Sequence, residues 1–254
     1  MKYFFSLAIA SRFASAKLRW QSRKCRTIND YVDLAFSFKP IPLVPRRYRP
    51  YFIEPWQVQG EILKFMTLVH GIQPQYACEI GTAEGGVLFL LTRVCREDAF
   101  IASIDLPGGP FGGGYPLSMI PFYRSFARDS QRIHLIRGDS HRQSTLEYLR
   151  RMLNGRRLDF LFIDGDHTYE GVKNDFLNYW PLVREGGLAA LHDILPHPYN
   201  PEVHVDTFWK ELLRSSWKTR EIVEDYEQGG VGIGVVFKTE RPEDEESESA
   251  GTPN

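Results

Sequence analysis

From residue 55 onward the chain alternates between two hydrophobic periods. Residues 55–69 place Ile62, Phe65, Met66 and Val69 on one helical face. Residues 76–80 are a short apolar run that enters a glycine-bearing turn. Helical spacing returns over 86–94, 120–127, 144–153, 170–183 and 205–213. Between these segments lie strand-like runs at 100–104, 133–136, 158–163 and 187–191. The run LDFLFI from Leu158 to Ile163 has the near-continuous apolarity of a strand buried on both faces. Two last strands, 220–223 and 231–237, flank Gln228-Gly229-Gly230, which reads as a hairpin turn. Repeated strand–helix alternation predicts an α/β fold with a doubly wound, mostly parallel sheet and right-handed crossovers. The C-terminal hairpin adds one antiparallel strand. Ligands of such sheets bind beyond the carboxyl ends of the strands.

The flanks differ from this middle. Residues 1–50 carry 11 Lys/Arg against 2 Asp/Glu, and residues 239–254 carry one Arg against six acids. The tail 239–254 has no apolar side chain larger than Ala, so it reads as a disordered, solvating segment. Pro40, Pro42, Pro45 and Pro50, interleaved with Arg46, Arg47 and Arg49, read as an extended linker. The organisation expected is a basic arm over 1–51, one domain over 52–238 and the acidic tail. Lys2 and the apolar stretch 3–10 have the outline of a signal peptide. That stretch is at the short limit, and bases follow it closely. Phe4, Phe5, Phe13, Leu18 and Trp20 beside those bases fit a helix lying on anionic lipid, a peripheral membrane contact through residues 1–26. The alternative is a helix packed on the domain or on a second copy in a homo-oligomer.

Composition narrows the class. The 254 residues are 43% hydrophobic, enough for a sizeable core without disulfides. Three cysteines fit a reducing, cytoplasmic compartment. A net charge of −1 argues against nucleic acid as partner, and no apolar run reaches transmembrane length.

The unusual residues cluster at predicted strand ends. Glu79-Ile80-Gly81-Thr82-Ala83-Glu84-Gly85-Gly86 follows the first strand, where glycines allow close approach to a ligand and a helix start offers N–H groups. It lacks the G-x-G-x-x-G spacing of a dinucleotide site and the Gly-Lys-Ser/Thr of a phosphate loop. Asp105 ends the second strand, where an acid can accept from ribose hydroxyls. Gly138-Asp139-Ser140 follows the third, suited to an adenine edge or to capping the next helix. Asp164-Gly165-Asp166-His167 follows the fourth, and His192-Asp193 the fifth. Two adjacent strand ends thus deliver carboxylates and imidazoles to one region. Carboxylates suit Mg²⁺, an imidazole moves the preference toward Mn²⁺ or Fe²⁺, and a neutral histidine can serve as general base. The glycine-rich stretch 107–116 reads as a lid over the site, with Phe111 and Tyr115 as contacts. His197 and His204 are candidates for an acceptor pocket.

These strings, with F-I-D-G-D-H-T-Y-E-G-V, G-G-L-A-A-L-H-D and G-V-G-I-G-V-V-F-K, resemble class I S-adenosylmethionine-dependent methyltransferases. Within that class the chain is similar to the methyltransferase 24 group, itself similar to metal-dependent sugar and macrolide O-methyltransferases and cephalosporin-hydroxylase-like proteins. The resemblance covers residues 52–238 and implies a seven-stranded, Rossmann-like sheet. It implies that Glu79, Gly81, Ala83 and Gly85 line the methionine side of the cofactor. Asp105 would hold its ribose, and Asp139 and Ser140 would face its adenine. It implies a divalent cation, Mg or Mn, on Asp164, His192 and Asp193, with His167 as general base toward a small-molecule, sugar or natural-product hydroxyl. Ala83 departs from the commoner middle glycine, and His192 stands where those relatives carry an acid. Alternatives on the same sheet are a non-methylating S-adenosylmethionine-binding protein, a metal-dependent hydrolase and a nucleotide-cofactor oxidoreductase.

Overall fold

The computed structural model describes residues 2–40, 51–111 and 113–239, with side chains from Ile9 onward. The proline- and arginine-rich linker at 41–50 and almost all of the acidic tail lie outside the described residues. Two N-terminal helices, α1 (Lys2–Ser22) and α2 (Ile28–Ser37), precede α3 (Gln59–Ile72). The alternating part then runs β1 (Tyr76–Ile80), α4 (Gly86–Val94), β2 (Phe100–Asp105), α5 (Ile120–Arg124), β3 (Arg132–Arg137), α6 (Gln143–Leu153) and β4 (Leu158–Ile163). It closes with α7 (Tyr169–Tyr179), β5 (Val183–His192), α8 (Val205–Leu213), β6 (Lys218–Ile222) and β7 (Ile233–Phe237).

The seven strands form one sheet in the order β3-β2-β1-β4-β5-β7-β6. Pairings among β1 to β5 are parallel, and β7 runs antiparallel to both β5 and β6. Strand order reverses at β1, where β2 lies to one side and β4 to the other. This is the switch point at which doubly wound sheets open a ligand crevice.

Side chains alternate across the strands, so each strand feeds two cores. Ala77, Ile101, Phe160, Phe162 and Ala190 pack in one apolar cluster with α2, α3 and α4. Cys78, Ile80, Ala102, Ile104, Leu161 and Ile163 pack in the other, with α6, α7 and α8. Burial on both faces explains why β1 and β4 read as unbroken apolar runs. The described helices of the N-terminal segment are not free of the domain. Ala14 and Leu18 of α1 and Val32, Ala35 and Phe38 around α2 belong to the first core. Leu18 is 3% exposed, so it faces inward rather than toward a lipid surface.

A capping box at Thr27 and Asp30 starts α2, each satisfying the other's backbone N–H. Helical spacing runs to Val183 in the sequence, but α7 stops at Tyr179. A 3-10 turn, Trp180–Leu182, follows it and contains Pro181, which cannot continue a helix.

One buried carboxylate ties the C-terminal hairpin to α3. Glu61 is fully buried and accepts from the backbone N–H groups of Glu224 and Gly232 at 3.0 and 3.1 Å and from Gln228 Nε2 at 2.8 Å. Glu61→Leu strands these donors and is expected to cost about 3 kcal/mol or more in urea unfolding, since hydrogen bonds to a charged group are each worth about 1.5–3. A loss under about 1 kcal/mol would show that the loop holds itself.

Candidate functional site

Strand register builds the site. Ile80 pairs with Ile104 on one side and with Ile163 on the other, and Ile163 pairs with Leu191. The next residues, Gly81, Asp105, Asp164 and His192, therefore emerge at one level along the carboxyl edge. The ladder continues there, with Gly81 N–H donating to Ile104 and Asp164 N–H to Ile80, both at 2.8 Å. Gly81 is required by this closeness. It has φ 95°, and a Cβ there would lie 2.0 Å from the Asp164 carbonyl oxygen.

A cavity of about 450 Å³ opens over this edge, a size ordinary for small-molecule sites. Of the cofactor residues expected, Gly81, Ala83, Asp105, Asp139 and Ser140 line it; Glu79 and Gly85 do not. Glu79 is fully buried. Its Oε1 accepts from Ser103 at 2.7 Å, and burial pushes its carboxyl well above the usual range, toward the neutral form. Gly85 is the left-handed N-cap of α4, where a Cβ would meet the Tyr123 ring at 2.7 Å.

Asp105 does more than the sequence suggested. Its Oδ2 accepts from the N–H groups of Thr82 and Ala83 at 3.0 and 2.9 Å, and its Oδ1 accepts from Gly114 at 2.7 Å. One carboxylate thus pins both the glycine turn and the glycine-rich loop. Burial raises its pKa against the pull of those three backbone donors. Oδ1 accepts one protein hydrogen bond and retains acceptor capacity toward the cavity.

Two histidines and two carboxylates come together at this edge, and the set whose donor atoms converge is Asp164, His167 and Asp193, whereas His192 was the ligand expected. His167 Nδ1 meets Asp193 Oδ2 at 2.6 Å, and its Nε2 stands 3.8 Å from Asp164 Oδ1. His192 Nδ1 lies 3.1 Å from both Asp164 Oδ1 and Asp193 Oδ1. Donor atoms of Asp164, His167 and Asp193 all fall within 4.8 Å of one another. Two carboxylates and an imidazole at that spacing fit a divalent cation. Asp193 has φ 62°, an uncommon conformation for a residue with a Cβ and one that tends to accompany functional sites.

Burial alone would lower the His192 pKa, but the Asp193 and Asp164 carboxylates outweigh it and hold the ring at about 9. His167 is shifted up likewise. Burial opposes, and the hydrogen bond with Asp193 and the charge of Asp164 prevail. Burial would raise Asp193, yet the two imidazoles bring it down. The two carboxylates thus draw both imidazoles toward the protonated form.

Several lining residues carried no sequence signal. Gln57 Nε2 donates to Asp164 Oδ2 at 2.7 Å, and a lone glutamine before α3 announces nothing. His141 lies beside Asp139 and Ser140, 3.4 Å from the buried Asp175 on α7. The buried Asp175 carboxylate at that distance raises its pKa to about 9. Phe111 of the glycine-rich loop packs on His167, ring centroids 5.0 Å apart. Tyr115 is buried against Tyr123 and does not line the cavity. His197 lines it and His204 does not.

Sheet order and switch-point cavity together define a Rossmann-like, doubly wound fold. Residues 78–194 match the model of the methyltransferase 24 family, described as a methyltransferase domain. The O-methyltransferase TomG of Streptomyces achromogenes, involved in tomaymycin synthesis and solved with S-adenosylmethionine, is similar in structure. Its TM-score is 0.55 at 16% identity, over 90% of this chain and 98% of that one. An O-methyltransferase of Bacillus cereus, solved with S-adenosylhomocysteine, gives 0.54 at 16%, over 83% and 90%. At these identities the likeness is one of fold. Among curated proteins, the uncharacterized protein R132 of Acanthamoeba polyphaga mimivirus is 30% identical over 132 residues, 49% of this chain and 54% of that protein. The uncharacterized protein y4gI of Sinorhizobium fredii is 26% identical over 172 residues, 65% of this chain and 18% of that protein. The chain therefore spans about half the length of the first of these relatives and less than a fifth of the second.

The raised His192 pKa predicts a pH effect on stability. A pKa above the unfolded value of about 6.5 contributes stability that is full below that pH and is lost as pH rises through about 9. Metal-free protein is expected to melt lower at pH 9.5 than at pH 7. In His192→Gln that difference should shrink to the share left by His141 and His167. An unchanged pH dependence in the variant would contradict the pairing.

Proposed function

We propose that the protein is an S-adenosylmethionine-dependent O-methyltransferase acting on a hydroxyl of a small molecule, sugar or natural product, with a divalent cation at its site. The observation that carries this reading is the juxtaposition, in one cavity, of the glycine turn with Asp105 and the Asp164/His167/His192/Asp193 group. S-adenosylmethionine supplies an electrophilic methyl on a sulfonium. A cation held by Asp164 and Asp193, with His192 beside them, would lower the pKa of the acceptor hydroxyl.

The chain's own residues supply the rest. Gly81 and Ala83 let the backbone approach the methionine end, Asp105 accepts from the ribose, and Asp139 and Ser140 meet the adenine. His167 takes the acceptor proton as the new C–O bond forms and the S–CH₃ bond breaks, leaving a neutral thioether. Asp193, at 2.6 Å from Nδ1, orients the ring and leaves Nε2 for the proton. Phe111, tilted by 38° against His167, would cover one side of the base. A base must be unprotonated to act, so turnover rises with pH through the His167 pKa. Bringing the acceptor into line with the methyl supplies most of the acceleration. The hydrolase alternative has no use for the glycine turn, and the missing G-x-G-x-x-G counts against a nicotinamide enzyme.

Calorimetry with S-adenosylhomocysteine tests the cofactor assignment. Wild type should bind, and Asp105→Asn should lose at least about tenfold in affinity, as expected for a charged hydrogen-bond acceptor worth about 1.5–3 kcal/mol. Circular dichroism would verify its fold. Absence of binding by folded wild type, with or without Mn²⁺, removes the methyltransferase reading. For the base, His167→Ala should keep cofactor affinity and lose about 10²–10⁴-fold in methyl transfer from labelled S-adenosylmethionine. Equal turnover contradicts that role. Mn²⁺ affinity separates the two imidazoles. Loss in His192→Ala with retention in His167→Ala supports His192 as ligand, and the reverse pattern exchanges their roles.

A further inference from the structure

The outer face of α1 has no counterpart in the methyl-transfer site. Ala14 and Leu18 point into the core, whereas Ile9, Phe13 and Trp20 are 58%, 62% and 55% exposed, and Ala16 is exposed between them. At about 100° per residue these four fall within about 60° of one another, a single apolar stripe on the side away from the domain. Bases rim it: Arg12 and Arg19 along one edge, Lys17 along the other, and Arg23 and Lys24 at its C-terminal end. Lys24 sits over the Trp20 ring at 3.7 Å. From residue 2 to residue 26 there is no Asp or Glu.

A second feature borders the same stripe. A cavity of about 570 Å³ beside α1 is lined by Arg19, Arg23, Arg26, Arg93 and Arg128, with Asp129 as its one acidic residue. Among the described residues no carboxylate forms an ion pair with the guanidinium groups of these five arginines. Arg93 and Arg128 are fixed by hydrogen bonds to the carbonyls of Phe126 and Thr92. Their positive charge is therefore held in place, opposed within the cavity by Asp129 alone.

We propose that α1 docks the protein on an anionic phospholipid surface, with Ile9, Phe13 and Trp20 entering the headgroup–acyl boundary and the arginine cavity receiving a headgroup phosphate. The charge pattern selects this occupant. An apolar stripe between two cationic edges matches a bilayer interface, where acyl chains lie beneath a layer of phosphates. A second copy in a two-fold contact would bring the same cations face to face. No described helix is long and apolar enough to cross a membrane, which fits a helix that lies along it. The residues used are outside the cofactor cavity, so the inference is independent of the enzymatic reading.

Sedimentation of the full chain with vesicles tests it. The protein should pellet with equimolar phosphatidylcholine and phosphatidylglycerol, stay in solution with phosphatidylcholine alone, and be released by high salt. Phe13→Ser/Trp20→Ser and Arg19→Ser/Arg23→Ser should each weaken partition by roughly tenfold or more, each interfacial base being worth about 1 kcal/mol. Unchanged circular dichroism in both variants would show that the fold is intact. Either of three results overturns the proposal: no partition onto the anionic vesicles, equal partition of the folded variants, or concentration-dependent self-association through Phe13 and Trp20 without vesicle binding.

Discussion

The site depends on two carboxylates held side by side in a poorly solvated place. Asp164 and Asp193 leave neighbouring parallel strands, and each is within 3.1 Å of the His192 ring. Two such anions repel strongly away from bulk water, so something positive must lie between them. In the protein alone the His192 and His167 imidazoles lie against them, both drawn toward the protonated form. The same arrangement suits a cation, because metal ligation and protonation compete for the same lone pairs. The fold thus offsets the charge of the pair with its own imidazoles, and in the proposed function a cation would compete with protons for the same group.

Everything around the pair serves to hold it. β1 and β4 approach so closely beyond Ile80 that only glycine fits at 81. Gln57 fixes the second oxygen of Asp164. Asp105, three residues wide in its reach, ties the turn at 82–83 to Gly114 of the loop that carries Phe111 onto His167. Glu61 anchors the 224–232 loop from the other side, and Gly230 and Val231 of that loop form part of the cavity wall. The two apolar cores above and below the sheet fix the strand ends from which these residues project.

Strands that are buried on both faces were legible in the sequence to the residue. Tyr76–Ile80 and Leu158–Ile163 have the expected bounds because continuous apolarity leaves little room for another reading. β5 was legible only in its second half. Its first residues, Arg184 to Gly186, are exposed and polar, and the pairing with β4 is irregular between Leu158 and Phe160. Strand ends gave away the Asp-His group, since carboxylates and imidazoles at the edges of apolar runs have few structural uses. What stayed hidden were contacts across long sequence distance. Gln57 reaches Asp164 over 107 positions and Glu61 reaches Gly232 over 171, and no local pattern encodes either. Glu79 was readable as part of a glycine turn but not as a fully buried acid, because burial is a property of the assembled sheet. Helix α1 kept two faces in one sequence, and only packing distinguished inward Leu18 from outward Phe13 and Trp20.

The central claim is that proton and cation compete for one histidine–carboxylate group. Titrating metal-free protein with Mn²⁺ near pH 7.5, in two buffers of different ionisation enthalpy, measures the protons displaced as metal binds. The account predicts Mn²⁺ binding with net release of protons, both abolished in Asp164→Asn/Asp193→Asn. Binding heats identical in the two buffers after dilution correction, or no binding by the folded wild-type protein, would contradict it.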